Sequence, residues 1–172
     1  MPRPSLIVVT GPPGAGKTTL AHALARAVRC PVVSRDEIKE GLIHATEGVE
    51  SESDLTRRAY GAFFATVRLL LDGGVTVVAE AAFAHPRWER ELEGLASLSR
   101  LRIVVCDLAP EAALRRRTAR IHEDPDRARY HPDPLTLTEY DAPQLPWPTL
   151  TVRTGDGYDP GFDAIVAFAR GD

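Results

Sequence analysis

GPPGAGKTT, residues Gly11–Thr19, is the stretch that decides the fold. Gly11, Gly16, Lys17 and Thr18 hold the fixed positions of a G-x-x-x-x-G-K-[ST] pattern, with Pro12, Pro13, Gly14 and Ala15 between them. Ahead of it, Ser5–Thr10 (SLIVVT) is a nearly unbroken apolar run of strand length. Behind it, leucines, alanines and Val28 recur at helical spacing from Lys17 to Arg29. Strand, glycine-rich turn and helix together are the context in which the pattern carries physical meaning. The glycines let the backbone curl so that successive N–H groups point inward, and the helix adds the positive end of its dipole. Such a loop suits a nucleoside triphosphate, ATP or another NTP. Lys17 would neutralise β- and γ-phosphate oxygens, and the Thr18 hydroxyl would bind Mg²⁺. Thr19 completes the nucleotide-binding candidates of the loop.

The rest of the chain alternates in the same way. Val32–Ser34, Val75–Ala79 (VTVVA), Leu101–Cys106 (LRIVVC) and Leu150–Val152 are further short apolar strands. Helices are expected over 37–46, from about Asp54 to Leu71, from Pro86 to Leu98, over 111–121 and near 161–169. Ser51 or Ser53 would cap the second of these, and Gly73-Gly74 would stop it. Strands this apolar, each followed by a helix, imply an α/β domain with a five-stranded parallel sheet covered on both faces. Ligands of such sheets bind beyond the carboxyl ends of the strands.

Bulk properties narrow the class. A chain of 172 residues suits one domain, 1–172, able to bury roughly 70% of its unfolded surface. A net charge of -3 and a pI near 6.0 lack the basic excess of a general nucleic-acid binder. The apolar runs fall well short of the roughly 20 residues a membrane helix needs. MPRPSLIVVTG has no signal-peptide cleavage site, so a cytoplasmic protein is expected. Cys30 and Cys106 have no metal or redox spacing. Of the 21 basic residues only Lys17 and Lys39 are lysines, and both fall in segments that resemble a site.

Lys39 belongs to PVVSRDEIKE, residues 31–40, where a buried strand ends abruptly in ionisable groups. A carboxylate there, Asp36, can orient an alcohol and take its proton, or it can cap the following helix. The span from residue 11 to 42 resembles the small P-loop kinases with an aspartate after strand two, among them polynucleotide kinase, chloramphenicol phosphotransferase, gluconate kinase and the zeta toxins. That resemblance implies a three-layer, nucleoside-kinase-like P-loop NTPase domain. It implies that Asp36 accepts the proton of the acceptor hydroxyl and that Lys39 touches a charged group on the acceptor. Arg35 joins them as an acceptor-site candidate.

Glu80 follows the third apolar strand, where an acidic residue normally holds Mg²⁺ through water. The family often has aspartate there, so Glu80 differs in reach; metal and acceptor duty are both open to it. Phe83 and Trp88 are either lining of the acceptor pocket or ordinary core, and His85 either lines that pocket or starts a helix beside Pro86. EAALRRRTAR, residues 111–120, begins a helix and lid running to about residue 136, similar to the lids whose arginines close on a transferring phosphoryl group. Arg117 and Arg120 share a helix face and are the catalytic candidates; most of Arg115, Arg116, Arg127 and Arg129 read as solvated charge. Arg153 stands in the last strand, where these kinases often line the adenine.

Together these features predict an ATP- and Mg²⁺-dependent transfer of phosphate to a hydroxyl of a small molecule such as an antibiotic, sugar or nucleoside. A polynucleotide 5′-hydroxyl remains the alternative acceptor. A hydrolysing switch or a non-catalytic nucleotide-binding regulator is the alternative of another class. No N-K-x-D guanine motif occurs, and no second helical domain of a ring ATPase fits in the chain.

Overall fold

The computed structural model describes residues 3–46, 49–82, 87–123, 140, 142 and 144–172, the side chain of Arg87 excepted. Five strands are formed: β1 (Ser5–Thr10), β2 (Val32–Ser34), β3 (Val77–Glu80), β4 (Arg100–Asp107) and β5 (Thr149–Arg153). They make one all-parallel sheet in the order β2-β3-β1-β4-β5. Six helices are seen among the described residues: α1 (Lys17–Val28), α2 (Arg35–Ala45), α3 (Glu52–Asp72), α4 (Arg87–Ala96), α5 (Pro110–Glu123) and α6 (Phe162–Arg170).

Both faces of the sheet are covered, so alternate residues of β1 enter different cores. Leu6 and Val8 pack with Phe63, Val67, Trp88 and Ile103 on the side of α3 and α4. Ile7 and Val9 pack with Leu20, Leu24, Val104 and Ile165 on the side of α1 and α6. Trp88 therefore belongs to the core, edge-on to Tyr60, Phe63 and Phe64 at centroid distances of 5.5, 5.4 and 4.8 Å. The pocket-lining alternative for Trp88 is set aside by this packing.

Element boundaries differ from the sequence expectation in two instructive places. β3 begins at Val77, because Val75 closes the turn after α3 by donating its N–H to Leu70 O at 2.9 Å. Glu80 is consequently the last residue of the strand, opposite Val9 of β1 and Ser34 of β2. α2 begins at Arg35, two residues early, and its N-cap is Ser34, whose Oγ accepts from Glu37 N at 3.4 Å. Asp36 thus lies inside the first turn and is not the cap; the capping alternative for that residue is corrected here.

At the end of β1 the chain must pass very close to β4. Gly11 has φ +147°, and a Cβ there would lie 2.4 Å from Cys106 O. The obstacle is backbone, which cannot swing aside. Gly11→Ala is expected to destabilise the domain by about 1–3 kcal/mol, read as a lower urea midpoint at unchanged slope.

Candidate active site

The order of the sheet brings the ends of β1, β2 and β3 together, and the site is built on them. Gly16 is the N-cap of α1 at φ 81° with no side-chain cap, so the first amides of that helix are left for whatever the loop holds. Gly14, at φ +87°, passes beneath α5; a Cβ there would lie 2.5 Å from Ala113 O and 3.1 Å from Arg117 Cγ. Thr154, just past β5, braces the loop from the other side by donating its hydroxyl to Ala15 O at 2.8 Å.

Lys17 opens α1 and folds back over the loop, donating to Pro12 O at 3.0 Å. It is buried. Burial pulls its pKa down, and the neighbouring carboxylates of Glu80 and Asp36 oppose that fall. Thr18 and Thr19 are exposed, and Thr18 lines the cavity.

Glu80 is wholly buried at the end of β3. Ser34 Oγ donates to its Oε2 at 2.6 Å, while Oε1 has no hydrogen-bond partner among the described residues. Burial pushes its pKa up; the Ser34 hydroxyl and the Lys17 ammonium act the other way. A buried carboxylate oxygen left without a partner is costly unless something else engages it.

Asp36 turns toward the same space. Arg35 Nη2 lies 3.0 Å from Asp36 Oδ1, and the Arg35 guanidinium also covers the Tyr60 ring at 5.1 Å. One turn on, Lys39 forms an ion pair with Glu52 from the start of α3. Arg117 and Arg120 come down from α5. All of these side chains line one cavity of about 300 Å³, whose floor is the Gly14–Thr18 turn.

The sequence candidates therefore divide. Lys17, Thr18, Asp36, Arg35, Lys39, Arg117 and Arg120 converge on the cavity, with Glu80 buried just behind Lys17 and Ser34. Arg153 does not: its side chain is 77% exposed and pairs with Asp159 at 3.5 Å. Phe83, His85, Arg127 and Arg129 lie outside the described residues. Two residues of consequence were not among the sequence's site candidates, Arg116 being grouped with the solvated arginines. Arg116 donates to Thr154 O at 2.8 Å and Gly155 O at 2.6 Å, tying α5 to the loop after β5. Glu52, not among the sequence candidates, is the partner of Lys39. Nothing local in the sequence distinguishes either from its charged neighbours.

A parallel sheet in this order, with such a loop after its central strand, defines a kinase-type P-loop nucleotide-binding domain. The comparisons narrow this further. The family model described as an AAA domain matches residues 6–133, and the chain belongs to that family of P-loop kinases. A protein from Chloroflexus aurantiacus, whose designation as a kinase is provisional, is similar over 98% of both chains at 26% identity and TM-score 0.83. The Mycobacterium tuberculosis APS kinase, solved with AMPPNP and APS, is 19% identical over 99% of this chain and 98% of its own, with TM-score 0.68. A gluconokinase from Sinorhizobium meliloti is 20% identical over 98% of this chain and 91% of its own, with TM-score 0.62. The last two likenesses are likenesses of fold. No curated protein matches the chain. Among the described residues, no helix is long and apolar enough to cross a membrane.

Proposed function

We propose that this protein transfers the γ-phosphate of ATP, or of another NTP, to a hydroxyl of a small molecule, with Asp36 as general base. One observation carries the reading. Asp36 shares a single cavity with the phosphate loop, Lys17 and two arginines of α5, so an alcohol held by the carboxylate would also face a phosphate held by the loop. In the step envisaged, the acceptor oxygen forms a bond to the γ-phosphorus as the bond to the β,γ-bridging oxygen breaks. The electron pair leaves on ADP and the hydroxyl proton passes to Asp36. Lys17, Arg117 and Arg120 would spread the charge that builds on the phosphoryl oxygens, for which planar guanidinium forks are well shaped.

The residues fit a magnesium ion. The Thr18 hydroxyl and the Glu80 carboxylate, with its unpartnered Oε1, are the groups that would hold it, directly or through water. A magnesium ion held there would supply neutralisation of phosphate charge.

Glu80→Gln separates that role from a structural one. Glutamine keeps an oxygen for Ser34 and removes a buried charge, so the variant should melt above the wild type at neutral pH. The sign follows from the raised pKa. The folded protein holds the Glu80 proton more tightly than the unfolded chain does, so the wild type loses stability as pH rises past the ordinary glutamate range. The two melting curves should therefore converge in acid. Transfer by the variant should need more Mg²⁺ for half-maximal rate. An unchanged magnesium requirement removes Glu80 from the metal site.

The decisive test is ADP release with and without candidate alcohols. Acceptor-dependent release together with a phosphorylated product supports the reading. Hydrolysis indifferent to acceptor indicates a switch, and stoichiometric binding without turnover indicates a regulator. The low pI favours a small molecule over a polynucleotide end as acceptor.

A further inference from the structure

The end of the cavity away from the loop has an electrostatic character of its own. Its charged groups come as two compensated pairs. Arg35 is 14% exposed, packed on the Tyr60 ring and set against Asp36. Lys39 is 8% exposed and paired with Glu52, which is 54% exposed at the mouth. Of the cations on α5, Arg117 lies against Gly14, Arg116 reaches toward Gly16, and Arg120 lines the cavity with Arg117. Among the described residues that α2 contributes to the cavity, each cation thus has a carboxylate of its own.

An acidic group brought beside Lys39 would have to displace the Glu52 carboxylate or be buried next to it. The first breaks an ion pair whose cation is buried, and the second sets like charges together; both cost free energy. A neutral hydroxylated group meets neither penalty. The cavity wall also continues outward. Glu52 and Thr56 line both the cavity and a shallow groove along α3 that adds the hydroxyl-bearing Ser51, Ser53 and Tyr60 together with Arg57, whose charge is met by Asp54.

We infer that the acceptor is an uncharged, multiply hydroxylated molecule, its reacting hydroxyl at Asp36 and its far end in the hydroxyl-lined groove along α3, and that Glu52 excludes acidic alcohols by occupying Lys39. This rests on the phosphotransfer reading and names the substrate class for it. Lys39 is then a positioning residue for Glu52 and for the join between α2 and α3, in place of the contact with a charged acceptor group that its sequence position implies.

The test uses panels of alcohols matched in skeleton and differing in charge, with the open-chain glucitol, gluconate and glucamine as the first triple. Transfer is followed as kcat/KM in the wild type, Glu52→Gln and Lys39→Gln. The wild type should favour the neutral member over the anionic one. Glu52→Gln uncovers a cation, so the anionic member should gain about five- to tenfold relative to the neutral one. Lys39→Gln uncovers an anion, so the anionic member should fall further and the cationic member rise. A merely structural ion pair would lower all three together in both variants, and that outcome overturns the inference. Wild-type preference for the anionic member overturns it too, leaving phosphotransfer intact. Absence of transfer to any member, in protein that still binds AMPPNP, removes both.

Discussion

Asp36→Asn is expected to lower acceptor-dependent turnover by about 10²–10⁴-fold while leaving the affinity for ATP unchanged. The amide has nearly the shape of the carboxylate and can still receive a hydrogen bond from Arg35, which lies 3.0 Å from Oδ1. It cannot accept a proton from an alcohol. Helix stability offers no competing explanation, because α2 is capped by Ser34 and Asp36 lies within its first turn. The loss should therefore appear in kcat, with the melting temperature close to that of the wild type. Single-turnover phosphorylation of the acceptor, compared with AMPPNP titration, separates chemistry from binding. Turnover equal to that of the wild type would reduce Asp36 to a partner of Arg35.

Lys17→Ala should damage both binding and chemistry. The Lys17 ammonium is buried, folds over the loop by its bond to Pro12 O, and has Glu80 and Asp36 as anionic neighbours. Loss of one such positioned charge typically costs about 10²–10³ in kcat, and weaker nucleotide binding should accompany it. The variant also removes the Lys17 charge that opposes the rise in the Glu80 pKa, so its melting temperature should fall more steeply than that of the wild type as pH rises past the ordinary glutamate range. Isothermal titration with AMPPNP and melting curves at two pH values check both halves. Wild-type affinity in the variant would place the triphosphate elsewhere.

The loop and the fold were legible because they rest on local rules. Gly11 and Gly14 stand where the neighbouring backbone leaves no room for a Cβ, and the strand and helix on either side follow directly from apolar spacing. The start of α2 was harder. Ser34, Arg35 and Asp36 offer two good capping residues within three positions, and only the register of Ser34 against Glu80 in the sheet selects the serine. On α5, three consecutive arginines look alike in sequence. Their roles separate through packing, Arg117 against Gly14 and Arg116 toward Thr154, which depends on how α5 crosses the loop. Glu52 was invisible for the same reason. Its partner Lys39 is thirteen residues away, and the two meet only because α2 and α3 pack side by side.

The central claim is one of position: a carboxylate facing a terminal phosphate across the width of one alcohol. A crystal structure with AMPPNP and magnesium measures it directly. The account predicts an Asp36 oxygen about 5–7 Å from the γ-phosphorus with nothing of the protein between them, the sum of a near-attack approach and one hydrogen bond. Asp36 turned out of the cavity, or a side chain filling that gap, would contradict it.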